Sequence, residues 1–498
     1  MIRRVLIIVM SVAAIAAMNQ FVEPEGIGQP SPNPVVGGET SGRGSGSTWF
    51  CPFGTSTAGE AAAPTNSILI TTEDRAVVAE VTMYRTAALE DGSTTVSETV
   101  NAAANTVTEV RLDDRVDGGA TVEISGGSAT VAQKLVAPNR SDQADCVTEA
   151  AQQAYFAAAQ TTTGSFAQLW LVNPFPTSLS VDVRVTIEGG VRIPGPVSGV
   201  IVPARSSRLL DLGTIPEVAE LREQFSIAVE GRSGRFVAGL AQTVAGNGLR
   251  ATIGVQHPAT NWLIPYSFTG SDFSEKLWIF NPSSEDTAVI ASVFPQGVAT
   301  EMMPEPFTFD LPGRQYTLID LTAEGRLPTT ELRWIHVESL SDVGIVVNSV
   351  VSITAASGTG EPNTRPALAG GLAAQVGATV QATSWIVSSV DPASESQSVV
   401  AVANPSPESI AVVTITRIAR SGDGAPAEVI VENQEIAPLG TVAYDISQLA
   451  DVNIGLRVDA TSPVVVAGRT TSGAATDLAV WTALPIRESV MPLPVTGG

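Results

Sequence analysis

The sequence predicts an all-β fold made of four tandem β-sandwich-like repeats that follow an N-terminal signal or anchor helix. Three observations carry this expectation. Apolar and polar residues alternate with a period of two in short runs closed by Gly, Pro, Asn or Ser, as in SVDVRVTI at 180–187 and FSIAVEG at 225–231, which is the pattern of half-buried strands. An apolar strand ends in Asn-Pro at Asn173, Asn281 and Asn404, and Thr71-Thr72 takes that place in the first, divergent unit. Aromatic residues open the units at Trp49, Tyr155-Phe156, Trp262 and Trp385, with a fifth at Trp481.

Laid against one another, these marks divide the chain in order. Residues 1–22 form a signal peptide or membrane anchor and 23–48 a Gly/Pro/Ser linker; 49–145 is the divergent first repeat, 146–260 the second, 261–383 the third, 384–486 the fourth with a terminal strand, and 487–498 a tail. Units of roughly 105–125 residues are long enough to be supersecondary blocks in their own right, and ~100 residues suits one Ig-like sandwich. The spare strand at Trp481 leaves two arrangements open. Either it finishes the fourth unit at the end of a string of sandwiches, which is the preferred reading, or it pairs with the first unit and closes a propeller-like ring.

At the N-terminus, Arg3 and Arg4 precede an apolar run from Val5 to Ala17 broken only by Ser11, and Ala14-Ile15-Ala16 offers a small-residue cleavage site. This is the layout of a secretory signal; left uncleaved, residues 5–18 would hold the chain at a membrane. The segment from Glu23 to Thr48 is dense in Gly, Pro and Ser with little to bury, the composition of a flexible spacer.

Charge and composition exclude some functions. The chain carries 50 Asp+Glu against 27 Lys+Arg, a net charge of −23, so its field repels polyanions and nucleic acid is not an expected partner. With 15% charged and 44% hydrophobic residues the acidity belongs to a packed globular surface rather than a disordered tail.

Acids recur at fixed places: Asp211, Asp320 and Asp445 seven or eight residues after a strand-ending proline, and Glu123, Glu230, Glu338 and Asp459 at the end of a later strand. Such carboxylates could hold metal or sugar, but at strand ends they more often accept backbone N–H bonds in turns. Asn-Pro has the same reading as a strand stop. His257 and His336 are the only imidazoles, and neither lies in a nucleophile, zinc or phosphate-loop motif. Asp113/Asp114 and Glu285/Asp286 are carboxylate pairs of the kind a glycosidase uses, here expected as solvated loop residues; the turn at Gly118-Gly119 opens no helix, so it suggests no phosphate site. Trp170 and Trp278, in the strands before Asn-Pro, are expected in the core. No cofactor and no metal site follow. Cys51 and Cys146 are the only cysteines and in an oxidising compartment can pair to staple the first unit, two free buried thiols being the alternative.

The stretch from Asp145 to Gly213, with VEGRSGRFVA after it, resembles an uncharacterised secreted family of actinobacteria known as a domain of unknown function. Cys146, Tyr155, Phe156, Ala157, Asn173, Pro174, Phe175, Pro203, Ala204, Arg205, Ser206, Arg232, Gly234 and Arg235 fit its pattern; Ala154 stands where that family has Trp. ATIGVQHPATNWLIP is similar to the joints between repeats of related bacterial surface proteins. The likeness spans most of 49–486, is best in the second unit, and implies an envelope-associated protein without known activity. Leu493-Pro494-Val495-Thr496-Gly497 resembles a sortase sorting signal, although the apolar span and basic residues that normally follow one are absent before Gly498.

The expectation is therefore an exported, non-enzymatic envelope protein, a structural or interaction scaffold whose partners are cell-wall components or envelope proteins, located outside the cell or anchored by its N-terminal helix. The alternative is a carbohydrate-active enzyme or accessory using carboxylates between repeats.

Overall fold

In a computed structural model of the chain, the third repeat shows the plan most plainly. Its first sheet has the order Asn261–Ser267, Arg333–Ser339, Thr287–Pro295, Phe307–Leu311, and its second Gln315–Asp320, Phe273–Asn281, Val346–Ile353, Leu372–Val376, with every pairing antiparallel. The two sheets enclose a core that includes Leu277, Ile279, Val289, Ala291, Val293, Ile335 and Val337. Thr287–Pro295 shows why: TAVIASVFP is buried at every second residue, so one face meets the core while the other stays wet.

The structure describes residues 46–494 apart from 56–64, 89–91, 113–116, 138–139, 162–164, 189, 216–217, 219–223, 245–246, 269–272, 300–301, 329–331, 354–370, 391–395, 423–426, 450–453 and 473–476. The signal or anchor helix, most of the linker, the Asp113/Asp114 pair and Val495 to Gly497 of the sorting-like motif lie outside the described residues. All described residues belong to one compact unit, Val35–Gly498.

The other repeats follow the same plan with local variations. In the first, Ser47–Cys51 opens the first sheet, order Ser47–Cys51, Ala120–Ser125, Val77–Tyr84, Thr95–Ala102, over a second of Thr106–Arg111, Thr65–Thr72, Ala129–Ala137 and Arg140–Asp145. In the second, Gln153–Ala159 and Phe166–Asn173 open the two sheets. In the fourth, the 19-residue strand Ile454–Ser472 serves both sheets. Its first half pairs with Val380–Val390 and Ala411–Arg420, its second with Ser396–Ala403 and Asp477–Thr482. That repeat begins at Val380, ahead of the 383/384 division drawn from sequence, and extends past 486, because Val490–Pro492 returns to pair with Val380–Ala382.

One polar corner explains the Asn-Pro recurrence. Asn173, Asn281 and Asn404 are each fully buried. The Asn281 Nδ2 donates to the carbonyls of Glu285, Leu311 and Pro312 while its Oδ1 accepts from Ser283 N; Asn173 and Asn404 repeat the arrangement on Thr177, Val202, Pro203 and Phe175, and on Ser409, Ile436, Ala437 and Ser406. A primary amide has the donors and the acceptor to close a strand end and a facing turn together, leaving no buried group orphaned. In the first repeat Thr72 stands there: its hydroxyl donates to Ala103 O at 2.5 Å and accepts from Thr106 N at 3.0 Å. The facing turn is also repeated, with Asn105, Arg205, Arg314 and Leu439 all at positive φ and their N–H groups bonded to Glu73, Phe175, Ser283 and Ser406. Three of those four are residues for which the left-handed region is uncommon, so the corner holds the turn in place.

The four sandwiches close into a ring rather than lying in a string. The last strand of each repeat, Arg140–Asp145, Asn247–Ile253, Leu372–Val376 and Asp477–Thr482, packs against the next in sequence, and the fourth packs against the first. Trp481 therefore does not open a fifth unit. Its strand pairs within the fourth repeat, along Ala467–Ser472, and closure to the first repeat uses other strands as well. Ala419 and Arg420 pair in parallel with Thr106 and Val107, so one continuous sheet passes from the fourth repeat into the first. A string was expected because unit length reports only the sandwich; the ring follows from contacts between strands hundreds of residues apart.

Candidate functional site

Where the four last strands meet, their register places non-identical residues at equivalent positions. Three residues before each corner, Leu69, Trp170, Trp278 and Ala401 align with Ala132, Gly239, Asn348 and Ala467, and those align with Asp145, Ile253, Val376 and Thr482. The next layer holds Ala144, Thr252, Gln375 and Trp481. These two layers, with Gln143, Ala374 and Val480, line an axial cavity of about 90 Å³, large enough for several water molecules, since one occupies on the order of 10–15 Å³ by this measure. The fold is repetitive, but the lining is not.

Asp145 is the one carboxylate in that lining. It is half-buried in the cavity wall, and desolvation by the surrounding protein pushes its carboxyl up to about 7, opposed by a hydrogen bond from Ser388. Ser388 Oγ donates to Asp145 Oδ1 at 2.8 Å and lies 3.2 Å from Thr130 Oγ1. Gln375 and Trp481 face each other from adjacent repeats, with Gln375 Nε2 donating to Trp481 O at 3.4 Å. The Trp481 ring lies against Gly468, where an added Cβ would stand 2.3 Å from Cζ2; a side chain there would displace the indole.

The residues singled out by sequence are mostly placed elsewhere and occupied by the fold. Cys51 and Cys146 are bonded to each other across 95 residues, and no free cysteine occurs among the described residues. Asp211 accepts from Gly213 N, Asp320 from Thr322 N and Ala323 N, and Asp445 from Ser447 N, which is turn chemistry. Glu230 pairs with Arg184 at 2.8 Å, and Asp459 with Arg457 and the Ser384 hydroxyl. Asp286 accepts from Gly313 N. Gly118 and Gly119 lie where Cβ atoms would clash with Ser207 Oγ at 2.4 Å and Val172 Cγ2 at 2.7 Å, so their role is close packing between the first two repeats. His257 lies 3.2 Å from Glu149. His336 is buried, and that burial lowers its imidazole to about 4.

The aromatic starts are structural too. The Trp262 indole N–H reaches Ala259 O and Ile345 O, and that of Trp385 reaches Ala382 O and Val464 O, at 2.9–3.0 Å, satisfying a buried donor. Backbone bridges Ala151–Phe236, Ala259–Ile345 and Ala382–Val464 make Ala154 the counterpart of those tryptophans. Trp170 and Trp278 are buried. Leu493 is packed into the core of the fourth repeat, so the sorting-like motif begins on a buried side chain.

Sequence reasoning missed the axial residues and one buried ion pair. Arg333 and Glu275 lie 3.3 Å apart and almost wholly buried, and the carboxylate also accepts from Ser267, Phe268 N and Ser349. Glu275 is in period-two step with Leu277 and Ile279 on Phe273–Asn281, and an acid in step with that core-facing row was the available signal.

A family of unknown function (DUF5719) matches residues 143–356, from the last strand of the first repeat into the third, so the chain carries an uncharacterised domain. No curated protein matches the chain. Among solved structures, the crystal structure of Thermotoga maritima 1070 matches 24% of this chain and 94% of that chain, with 15% identity and a TM-score of 0.20.

Proposed function

We propose that this chain is an exported, non-enzymatic envelope protein of the actinobacterial kind it resembles, a rigid ring that presents an acidic surface to cell-wall components or protein partners. The observation that carries this reading is the use of recurrent polar residues by the fold itself. The Asn corners, the turn aspartates and the Trp262 and Trp385 indole N–H groups bond to neighbouring backbone, as scaffold residues do. The Cys51–Cys146 bond supports an oxidising compartment, where disulfides persist. Hydrolysis of a glycosidic bond uses two carboxylates flanking the sugar, and the axial cavity offers one, Asp145, so the carbohydrate-active alternative has no geometric support there. Among the described residues no helix is long and apolar enough to cross a membrane; anchoring through residues 5–18 is part of the proposal.

The test is to fractionate cells, determine the mature N-terminus by mass spectrometry and label thiols without reductant. An oxidised chain in the envelope fraction, retained on isolated cell wall and released as salt rises, supports the proposal, since a net charge of −23 makes surface association sensitive to ionic strength. A reduced chain in the cytoplasmic fraction that does not sediment with cell wall contradicts it.

A further inference from the structure

The closing junction has no peptide bond across it, and it carries a titratable group where the two ends of the ring meet. Asp145 ends the last strand of the first repeat, and Ser388 lies in the first strand of the fourth. Three side-chain links converge on Ser388: its hydroxyl to Asp145 and to Thr130, and its carbonyl from Thr71 Oγ1. Beside them, Leu69, Val107 and Ala132 of the first repeat pack on Ile386 and Ile418 of the fourth. We propose that Asp145 is a proton-operated clasp, its neutral carboxyl holding the fourth repeat against the first and its ionised form loosening that junction while the other three junctions stay closed.

The surroundings of the carboxyl support this direction. On its own strand, Asp142 is bonded to Ala251 N. On the neighbouring strand of the second repeat, Arg250 is held by Gln242 and Ala158 O and has Asp142 as its charge partner. Lys134, on the hairpin partner strand, belongs to the position opposite Gln143, while Asp145 faces Ala132. The third and fourth repeats contribute Gln375, Trp481 and Thr482 to the cavity, and Asp477, at the far end of its strand, aligns with Ser472. Burial, which raises it, and the Ser388 hydroxyl, which lowers it, are the influences on the Asp145 carboxyl, with no cation among them from the described residues.

The sign follows from linkage. Below the ordinary carboxylate range, both open and closed junctions hold the proton and closure carries no penalty. As pH rises towards about 7, the open form ionises while the closed form must keep its proton or bury a charge, so closure weakens through that window and is weakest above it.

Hydrogen exchange of the full chain at pH 6.0 and 8.5, corrected for intrinsic rates, tests the clasp. Protection of Thr106–Arg111 and Ala411–Arg420 should fall about tenfold at the higher pH, relative to Gln153–Ala159 and Phe273–Asn281 at the junction of the second and third repeats. Asp145→Asn should flatten that difference. Ser388→Ala removes the donor that favours ionisation and should move the midpoint to higher pH, so it decides the matter if Asp145→Asn does not fold. Equal pH responses at the two junctions, an unaltered profile in Asp145→Asn, or a midpoint in Ser388→Ala that is unchanged or lower overturns the proposal.

Discussion

The junction between the second and third repeats and the junction that closes the ring solve one problem by different means. At the former, a single apolar core runs across the boundary: Tyr155, Ala157, Ala158, Ala228 and Val255 pack with Trp278, Phe280 and Val346, and Tyr155 meets Phe280 edge to face at 6.4 Å. At the latter the shared apolar cluster is small, and directional bonds take its place: a parallel backbone ladder at Thr106–Val107, the Ser388 links, and a Glu109–Arg420 ion pair at 3.4 Å. The chain itself keeps the second and third repeats together, so non-specific burial suffices to bind them. The two ends of the ring must find each other in one register, and a backbone ladder with hydroxyl and carboxyl partners specifies register where apolar contact does not.

The largest effect that could break this contrast is expected from Phe280→Ala. Removing a fully buried ring from the core shared by the second and third repeats should cost about 3–5 kcal/mol, read as a lower midpoint in chemical denaturation, with an equal loss at both junctions contradicting the contrast. Acid comes next. Burial lowers His336 to about 4, so the unfolded chain takes a proton that the folded third repeat refuses, and stability is lost as pH falls from about 6.5 towards 4, by on the order of 3 kcal/mol. His336→Gln should blunt that loss in thermal melts between those pH values. The closing junction is expected to respond in the opposite sense, which sharpens the comparison.

Smaller effects separate the corners and the surface. Asn281→Ala leaves several backbone groups of a buried corner unpaired and should cost about 2–3 kcal/mol, against about 1 kcal/mol for Thr72→Val with its fewer bonds; equal losses by equilibrium unfolding would show that the number of bonds does not set what each corner contributes. Arg420→Ala should change stability by less than about 1 kcal/mol, because its guanidinium is 42% exposed and such pairs contribute little. A larger loss would move the weight of closure from the buried links to the surface pair.

Much of the fold was legible in local pattern. Period-two alternation identified strands such as Thr287–Pro295, and the Asn-Pro recurrence marked the corner in three repeats, with Thr71-Thr72 as its substitute, because a corner depends on residues close in sequence. The aromatic starts were legible only to within a residue: Tyr155-Phe156 was set beside Trp262 and Trp385, whereas the backbone bridges put Ala154 in that place. The ring was not legible: Ser388 and Asp145 are far apart in the chain, and neither residue type announces a partner. At Trp481 the aromatic spacing marked a strand expected to finish the fourth unit, and it does so by pairing along Ala467–Ser472; its packing against the first repeat was the part that spacing alone left open. The axial cavity was hidden because its lining comes from four equivalent positions filled by unlike residues, Asp145, Ile253, Val376 and Thr482 in one layer, so no motif repeats there.

Ring closure is tested most directly by small-angle X-ray scattering of the full chain near pH 6. A compact body of 498 residues has a radius of gyration of about 23 Å, and the ring predicts a value close to that with a single-peaked distance distribution. Four sandwiches joined in a row would give roughly one and a half to two times that radius, given ~13 Å for each ~100-residue domain, and a distribution with a long shoulder; that result would contradict the closed ring.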